Sequence, residues 1–199
     1  MPQLIEHVVT PGSPYVPRRR GRAIRLPLCC LLLMGMPATA QTPAVDPFAR
    51  LSFLVGSWQG TSEGQPGNGT VRREYTRALN GRFIRVLNRS EYPAQAKNPT
   101  GEIHEDEGFF SFDRARKKLV LRQFHVEGFV NQYVEDDGAM PARIVFTTEA
   151  IENIPPGWRA RETYVVHGPD AFDEIFELAE SGKPFALYSH TRLRRVPPQ

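Results

Sequence analysis

The chain is predicted to be all-β, an up-and-down antiparallel β-barrel of about ten strands with a short N-terminal helical turn, on three observations. From Trp58 onward, apolar runs rich in Val, Ile, Phe, Tyr and Thr alternate with Gly, Pro, Asn and Asp at strand-like intervals. The connections are short, and no run past the first few residues has the length or the 3.6-residue period of a crossover helix. Consecutive strands joined this way form an up-and-down barrel or a sandwich-like variant of it, and closing the sheet on itself removes the exposed edges that would otherwise template aggregation.

The N-terminus reads as an export signal spanning residues 1–40. Arg18, Arg19, Arg20, Arg22 and Arg25 precede the apolar run Leu26 to Met36, and Ala38-Thr39-Ala40 supplies small residues for cleavage after Ala40. A retained membrane anchor would need a longer run. Cys29 and Cys30 lie inside the run, not after it, which argues against a lipid-modification site. The destination is the periplasm or the exterior. Without this segment the whole-chain charge of +3 falls to about −1, 20 basic against 21 acidic residues, and neither cysteine remains. A folded basic face for nucleic acid is therefore not expected. Disulfides and thiolate metal sites are excluded, so stability must come from a packed core. Residues 41–47 are a leader, and residues 48–199 make one domain.

Phe48, Leu51, Phe53, Leu54 and Val55 recur at helical spacing and are stopped by Gly56, which predicts one or two helical turns. Strands follow near Trp58–Ser62, Val71–Leu79, Arg82–Tyr92, Ile103–Phe112, Lys118–Phe129, Val130–Glu135, Arg143–Glu149, Trp158–Val166, Ala171–Leu178 and Phe185–Val196. Asn80-Gly81 predicts a type I′ hairpin, since both central residues need positive φ. Asp113 to Lys117 and Glu180 to Pro184 are two more tight connections. The segment Pro93 to Gly101 is a longer rim loop.

The stretch from Leu51 to Gly60, with its Gly56-Ser57-Trp58 corner, resembles the opening of the nitrobindin-type haem-binding barrels, which share their shape with lipocalins and fatty-acid-binding proteins. The ending from Tyr188 to Val196 is similar to that family's last strand. A Trp at this corner would close the barrel's bottom, with Arg192, Arg194 or Arg195 stacked on its face. The resemblance implies haem held by a His on the last strand, eight residues before the terminal Val. Here that position is Tyr188. Tyr188 as a phenolate, or His190 two residues on and therefore on the same strand face, would be the substitute metal ligands. The alternative is an interior hydrogen-bonding pair.

On the fifth strand Gln123, His125 and Glu127 alternate with Arg122, Phe124 and Val126. If the polar set faces inward, a Gln, a His and a carboxylate rise in ~7 Å steps and can orient a polar ligand head. If the other set does, Arg122 is a buried cation needing an acidic or anionic partner. In the run His104 to Glu107 only His104 with Asp106, or Glu105 with Glu107, can converge. A solvated strand end is the simpler expectation there. His167, beside a Gly-Pro-Asp turn, is expected to be exposed.

These residues predict an exported binding barrel rather than an enzyme. Its partner would be a small apolar or amphiphilic molecule, with haem the named cofactor by resemblance, and it would have no nucleic-acid partner and no membrane span. The chamber would be lined by Phe83, Val86, Phe110, Phe124, Phe129, Tyr133, Phe146 and Phe176. Contacts to the ligand would come from Tyr188, His190, His125, Gln123, Arg122 and Phe124. No nucleophile elbow, phosphate loop or paired-His zinc motif is present, so no catalytic residue is assigned. The rival is a barrel enzyme of isomerase or lyase type using His125 or His190 as base with Glu127 orienting it. A structural or protein-binding module follows instead if the interior is filled by its own side chains.

Overall fold

The computed structural model describes residues 46–138 and 140–197. The expected export segment and residues 41–45 of the leader lie outside them. A 3-10 turn, Ala49–Leu54, leads into ten strands: β1 Gly56–Gly64, β2 Gly67–Ala78, β3 Phe83–Tyr92, β4 Glu102–Asp113, β5 Lys118–His125, β6 Val130–Glu135, β7 Arg143–Glu152, β8 Arg159–Gly168, β9 Ala171–Ala179 and β10 Ala186–Arg195. All pairings are antiparallel between neighbours, and β10 returns to β1 to close the barrel. Among the described residues no helix is long and apolar enough to cross a membrane.

The turn between β2 and β3 has the geometry its residues require. Asn80 and Gly81 have φ of 58° and 73°, and the Arg82 amide donates to the Leu79 carbonyl at 3.3 Å. The fifth strand stops at His125, four residues short of its expected end, because residues 126–129 form the turn into β6. Gly128 supplies a φ of 88° there, and its amide donates to the His125 carbonyl at 2.8 Å.

One end of the barrel is plugged. Phe48, just before the 3-10 turn, and Leu51 and Leu54 within it are buried among Trp58, Tyr75 and Phe172. The Trp58 ring meets Phe172 edge-on at 4.7 Å, and the Arg195 guanidinium stacks on Trp58 at 4.4 Å, so of the three candidate arginines it is Arg195 that covers the indole. The same guanidinium donates to the carbonyls of Val55 at 2.8 Å and Phe53 at 2.6 Å, tying the last strand to the plug. Gly60 allows this closure, since a Cβ there would sit 1.9 Å from the Arg192 carbonyl oxygen of β10.

The interior corrects the expectation of a vacant apolar chamber. Tyr75, Phe110, Leu121, Tyr133, Phe146, Tyr164 and Phe172 are fully buried and fill the half nearer the plug with edge-on and tilted aromatic contacts. Val86, Phe110, Tyr133 and Phe146 do point inward as expected. Phe124 does not: it is 50 % exposed on the outer wall. Above the aromatic layer the inward positions turn polar. Arg73 forms a two-pronged ion pair with Glu174, Tyr164 donates to Glu162 at 2.7 Å, and Asn88 donates to Asp106 at 2.8 Å. Burial and the neighbouring Glu174 charge push the Glu162 carboxyl up to about 8, so it keeps its proton at neutral pH.

Candidate functional site at the open end of the barrel

Among the described residues the end opposite the plug carries no helix, and its rim is made by the hairpins after β1, β3, β5, β7 and β9. Strand register brings its polar side chains together. Asp106 of β4 lies directly across from His125 of β5, and Asn88 of β3 directly across from Asp106. His104 is two residues before Asp106 and so shares its face. Gln123 of β5 faces Asn131 of β6.

The orientation left open for β5 resolves in favour of the polar set. Leu119 and Leu121 are buried, so Gln123 and His125, at the same parity, also turn inward, while Arg122 and Phe124 are exposed on the outer wall. Arg122 is therefore no buried cation, and neither it nor Phe124 reaches the interior. His125 stacks on Phe129 at 4.1 Å. Glu127, beyond the strand's end, bonds not to His125 but to His104, at 2.8 Å from its Nδ1.

His104 and Asp106 do converge, and they are not a solvated strand end. His104 Nε2 lies 3.5 Å from Asp106 Oδ2 and 3.4 Å from His125 Nδ1. Asn131 places its amide nitrogen 3.2 Å from His125 Nε2 and donates to the Tyr133 hydroxyl at 3.0 Å. Burial disfavours a charge on His104, but hydrogen bonds to Asp106 and Glu127 outweigh it and hold this imidazole up at about 9. Burial, with the His104 charge beside it, pushes His125 down to about 4, so it is neutral. Burial works against the Asp106 charge too, yet the His104 contact and the Arg73 charge keep its carboxyl below the usual range. The result is one cationic and one neutral imidazole around a buried carboxylate.

Three acceptors here have no hydrogen-bond partner among the described residues: Asp106 Oδ1, Gln123 Oε1 and Asn131 Oδ1, on residues 9 %, 8 % and 2 % exposed. Buried acceptors left unpaired cost about 1–3 kcal/mol each, so a group that satisfies them is favoured.

The two last-strand residues separate. A register shift between Leu187 and Ser189 interrupts the pairing of β9 with β10, and at this bulge the Tyr188 ring leans edge-on against Phe176 at 5.6 Å. Thr191 is buried and bonds to Ser62 at 3.0 Å, so His190 beside it points the other way. His190 is held on the outer wall by Asp173 at 2.8 Å, with Glu63 3.9 Å away. The expectation that Tyr188 and His190 share a face fails because the bulge breaks the two-residue alternation. Burial raises the Tyr188 phenol above its usual range. His167 is on the outer wall, 3.2 Å from Asp173.

Hollows lie on the outer wall and at the rim. One, of about 780 Å³, lies along the outer wall against Arg72, Glu74, Leu87, Arg89, Glu107 and Phe124. The other, of about 860 Å³, lies at the rim between Tyr92, Pro93 and Ile103 and the start of β2.

No family model and no curated protein matches this sequence. Among solved structures, the chain is similar to the crystal structure of Rv2717c from M. tuberculosis. The TM-score is 0.59 at 16 % identity, over 76 % of this chain and 98 % of that one. At that identity the likeness shows the fold alone, a closed ten-strand antiparallel barrel compatible with ligand binding.

Proposed function

We propose that the chain is an exported small-molecule-binding barrel whose ligand enters at the open end and rests on the polar layer, not in an apolar chamber. One observation carries this: Gln123 Oε1 and Asn131 Oδ1 are buried, turned inward and unpartnered next to a neutral His125. A rigid wall that keeps acceptors unsatisfied is arranged for a donor supplied from outside. The ligand is amphiphilic, its donor-bearing head on Gln123 and Asn131 and its apolar part against Phe129, Phe176 and Tyr188. Native mass spectrometry of protein purified without denaturation tests it, followed by displacement of a fluorescent amphiphile. Gln123→Leu keeps the volume and removes the acceptor, and weakens binding about tenfold. Unchanged affinity in that variant rejects the assignment.

Haem fits these residues poorly. His190 is turned away and engaged, and the phenol of Tyr188 is held protonated where ferric iron wants a phenolate. A hemin titration of wild type and Tyr188→Phe decides whether Tyr188 alone suffices. The enzyme reading loses its proposed pair, because Glu127 orients His104 and not His125.

A further inference from the structure

We propose that the open end holds one divalent transition-metal ion of the zinc class, which displaces the Nε2 proton of His104 to solvent and is ligated by His104 Nε2, His125 Nδ1 and the Asp106 carboxylate, with a coordination position left for water or a small molecule. This inference does not require the ligand reading above, although both draw on His125 and Asn131; with the ion bound, Gln123 is the acceptor left for a ligand.

The geometry is the first support. Metal–ligand bonds of roughly 2.0–2.1 Å in a tetrahedral site put ligand atoms roughly 3.4 Å apart. His104 Nε2 lies 3.4 Å from His125 Nδ1 and 3.5 Å from Asp106 Oδ2, and one ligand atom from each of the three residues falls within 4.8 Å of the others. Two edges of the tetrahedron are thus already in place.

The second support is independent of spacing. Asp106 is 9 % exposed, and its Oδ1 has no partner, although Asn88 serves Oδ2. A buried carboxylate oxygen without a donor is costly, and a cation shared between Oδ2 and this orphaned Oδ1 relieves it.

The outer contacts are the third. Ligating imidazoles hold their other nitrogen against a carboxylate or carbonyl, and ligating carboxylates are themselves hydrogen-bonded. Here His104 Nδ1 is 2.8 Å from Glu127, Asp106 accepts from Asn88 at 2.8 Å, and His125 Nε2 is 3.2 Å from the Asn131 amide. With Nδ1 on a metal, His125 carries its proton on Nε2 and needs an acceptor. The two ends of an Asn amide are interchangeable by a flip, and Asn131 Oδ1 is otherwise unpartnered. All three ligands therefore have a residue positioned behind them.

Two imidazoles and one carboxylate select a borderline ion such as Zn²⁺, Co²⁺ or Fe²⁺ over Ca²⁺ or Mg²⁺. Three protein ligands with an open position match reactive sites rather than closed structural ones. A rival trio, Glu102, His104 and Glu127, would use the other nitrogen of His104 at the rim.

The test uses the full chain carrying no histidine tag, stripped with a chelator and titrated with Co²⁺ alone and Zn²⁺ alone. Equilibrium dialysis gives stoichiometry and affinity, and cobalt d–d absorption reports coordination. One ion per chain is expected, with intense tetrahedral-type cobalt bands. His125→Ala and Asp106→Asn should each lower affinity at least a hundredfold, and Glu127→Gln 10- to 100-fold. Glu102→Gln, His167→Ala and His190→Ala should leave it unchanged. Asp106→Asn preserves shape, and circular dichroism with thermal midpoints verifies folding of each variant. Absence of stoichiometric uptake overturns the proposal, as does uptake indifferent to His125→Ala and Asp106→Asn. Loss on Glu102→Gln with retention in His125→Ala assigns the ion to the rim trio and also overturns it. Amphiphile displacement, measured separately, shows whether the ligand reading survives either result.

Discussion

Removing Arg73 should destabilise the barrel more than removing its ion-pair partner, and the surrounding charges say by how much. Arg73 and Glu174 have side chains only 9 % and 8 % exposed. The guanidinium also donates to Asn88 at 3.0 Å and to the Tyr75 hydroxyl at 3.3 Å. Breaking a buried pair by deleting one member costs about 3–5 kcal/mol, because the other charge is stranded. The two deletions differ here, however. With Arg73→Met, Glu174 loses its counter-ion while Asp106 and Glu162 lose the positive charge that lowers both their pKa values. The full 3–5 kcal/mol applies, a fall of about 6–20 °C in Tm for a domain of this size. With Glu174→Gln, Glu162 no longer faces a second negative charge and can ionise in its place, so the loss shrinks to about 1–2 kcal/mol. The double variant Arg73→Met with Glu174→Leu removes both charges and should recover most of the loss. Urea denaturation at pH 7, with the slope checked for constancy, measures all three. Equal losses for the single variants, or a double variant worse than Arg73→Met, would refute this account of the interior.

The remaining expectations concern pH, the plug, the seam and the N-terminus. Glu162 has a folded-state pKa raised from 4.5 to about 8, so its contribution is fully present below pH 4.5 and lost as pH climbs to 8. Denaturation midpoints of Glu162→Gln should therefore decline less than those of wild type between those limits, the part left above pH 6.5 belonging to His104, itself raised to about 9; a decline as steep as wild type would refute the assignment to Glu162. Arg195→Met forfeits the stack on Trp58 and the bonds to the Phe53 and Val55 carbonyls, about 2–4 kcal/mol, with faster proteolysis ahead of β1 as a second readout. Gly60→Ala must force β1 and β10 apart and should cost about 3 kcal/mol or more by thermal unfolding; a wild-type midpoint would show the seam is looser than the 1.9 Å approach implies. Edman sequencing of protein recovered from an exporting host should begin at Gln41, and a retained N-terminus would reject cleavage after Ala40.

The ten strands were legible because Gly, Pro, Asn and Asp punctuate most of the runs; at β5 the turn over residues 126–129 carries its Gly inside an apolar stretch and reads as strand. The β6 limits, Val130 and Glu135, coincide with expectation, and Asn80-Gly81 marked its hairpin unaided. The β5 face stays open on Arg122 to Glu127, which alone offer two alternating readings. The decision lies upstream: Leu119 and Leu121 must be buried, and parity carries Gln123 and His125 inward with them. Tyr188 and His190 show the opposite case. Nothing in the residues around Leu187 announces the irregularity that divides them, because a bulge is settled by the partner strand's register.

The interior was misjudged for a different reason. On β2 the inward set is Val71, Arg73, Tyr75; on β8 it is Ala160, Glu162, Tyr164; on β9 it is Phe172, Glu174, Phe176. Each strand carries one ionisable residue two positions from apolar ones, and any single instance reads as an ordinary lapse in a pattern. Taken across the sheet the lapses share a level, since antiparallel register sets Tyr164 opposite Glu174 and Arg73 opposite Asn88, which in turn faces Asp106. A charged residue at one inward position of several neighbouring strands cannot be scattered chance, because each alone would be an uncompensated buried charge. Together they neutralise one another: Arg73 with Glu174, His104 with Asp106, and Glu162 by keeping its proton. The balance is complete near the aromatic plug and incomplete at the rim, where Asp106, Gln123 and Asn131 keep unpartnered oxygens. Chemistry from outside the chain is therefore expected at that rim, and His104 and His125 stand beside those oxygens to receive it.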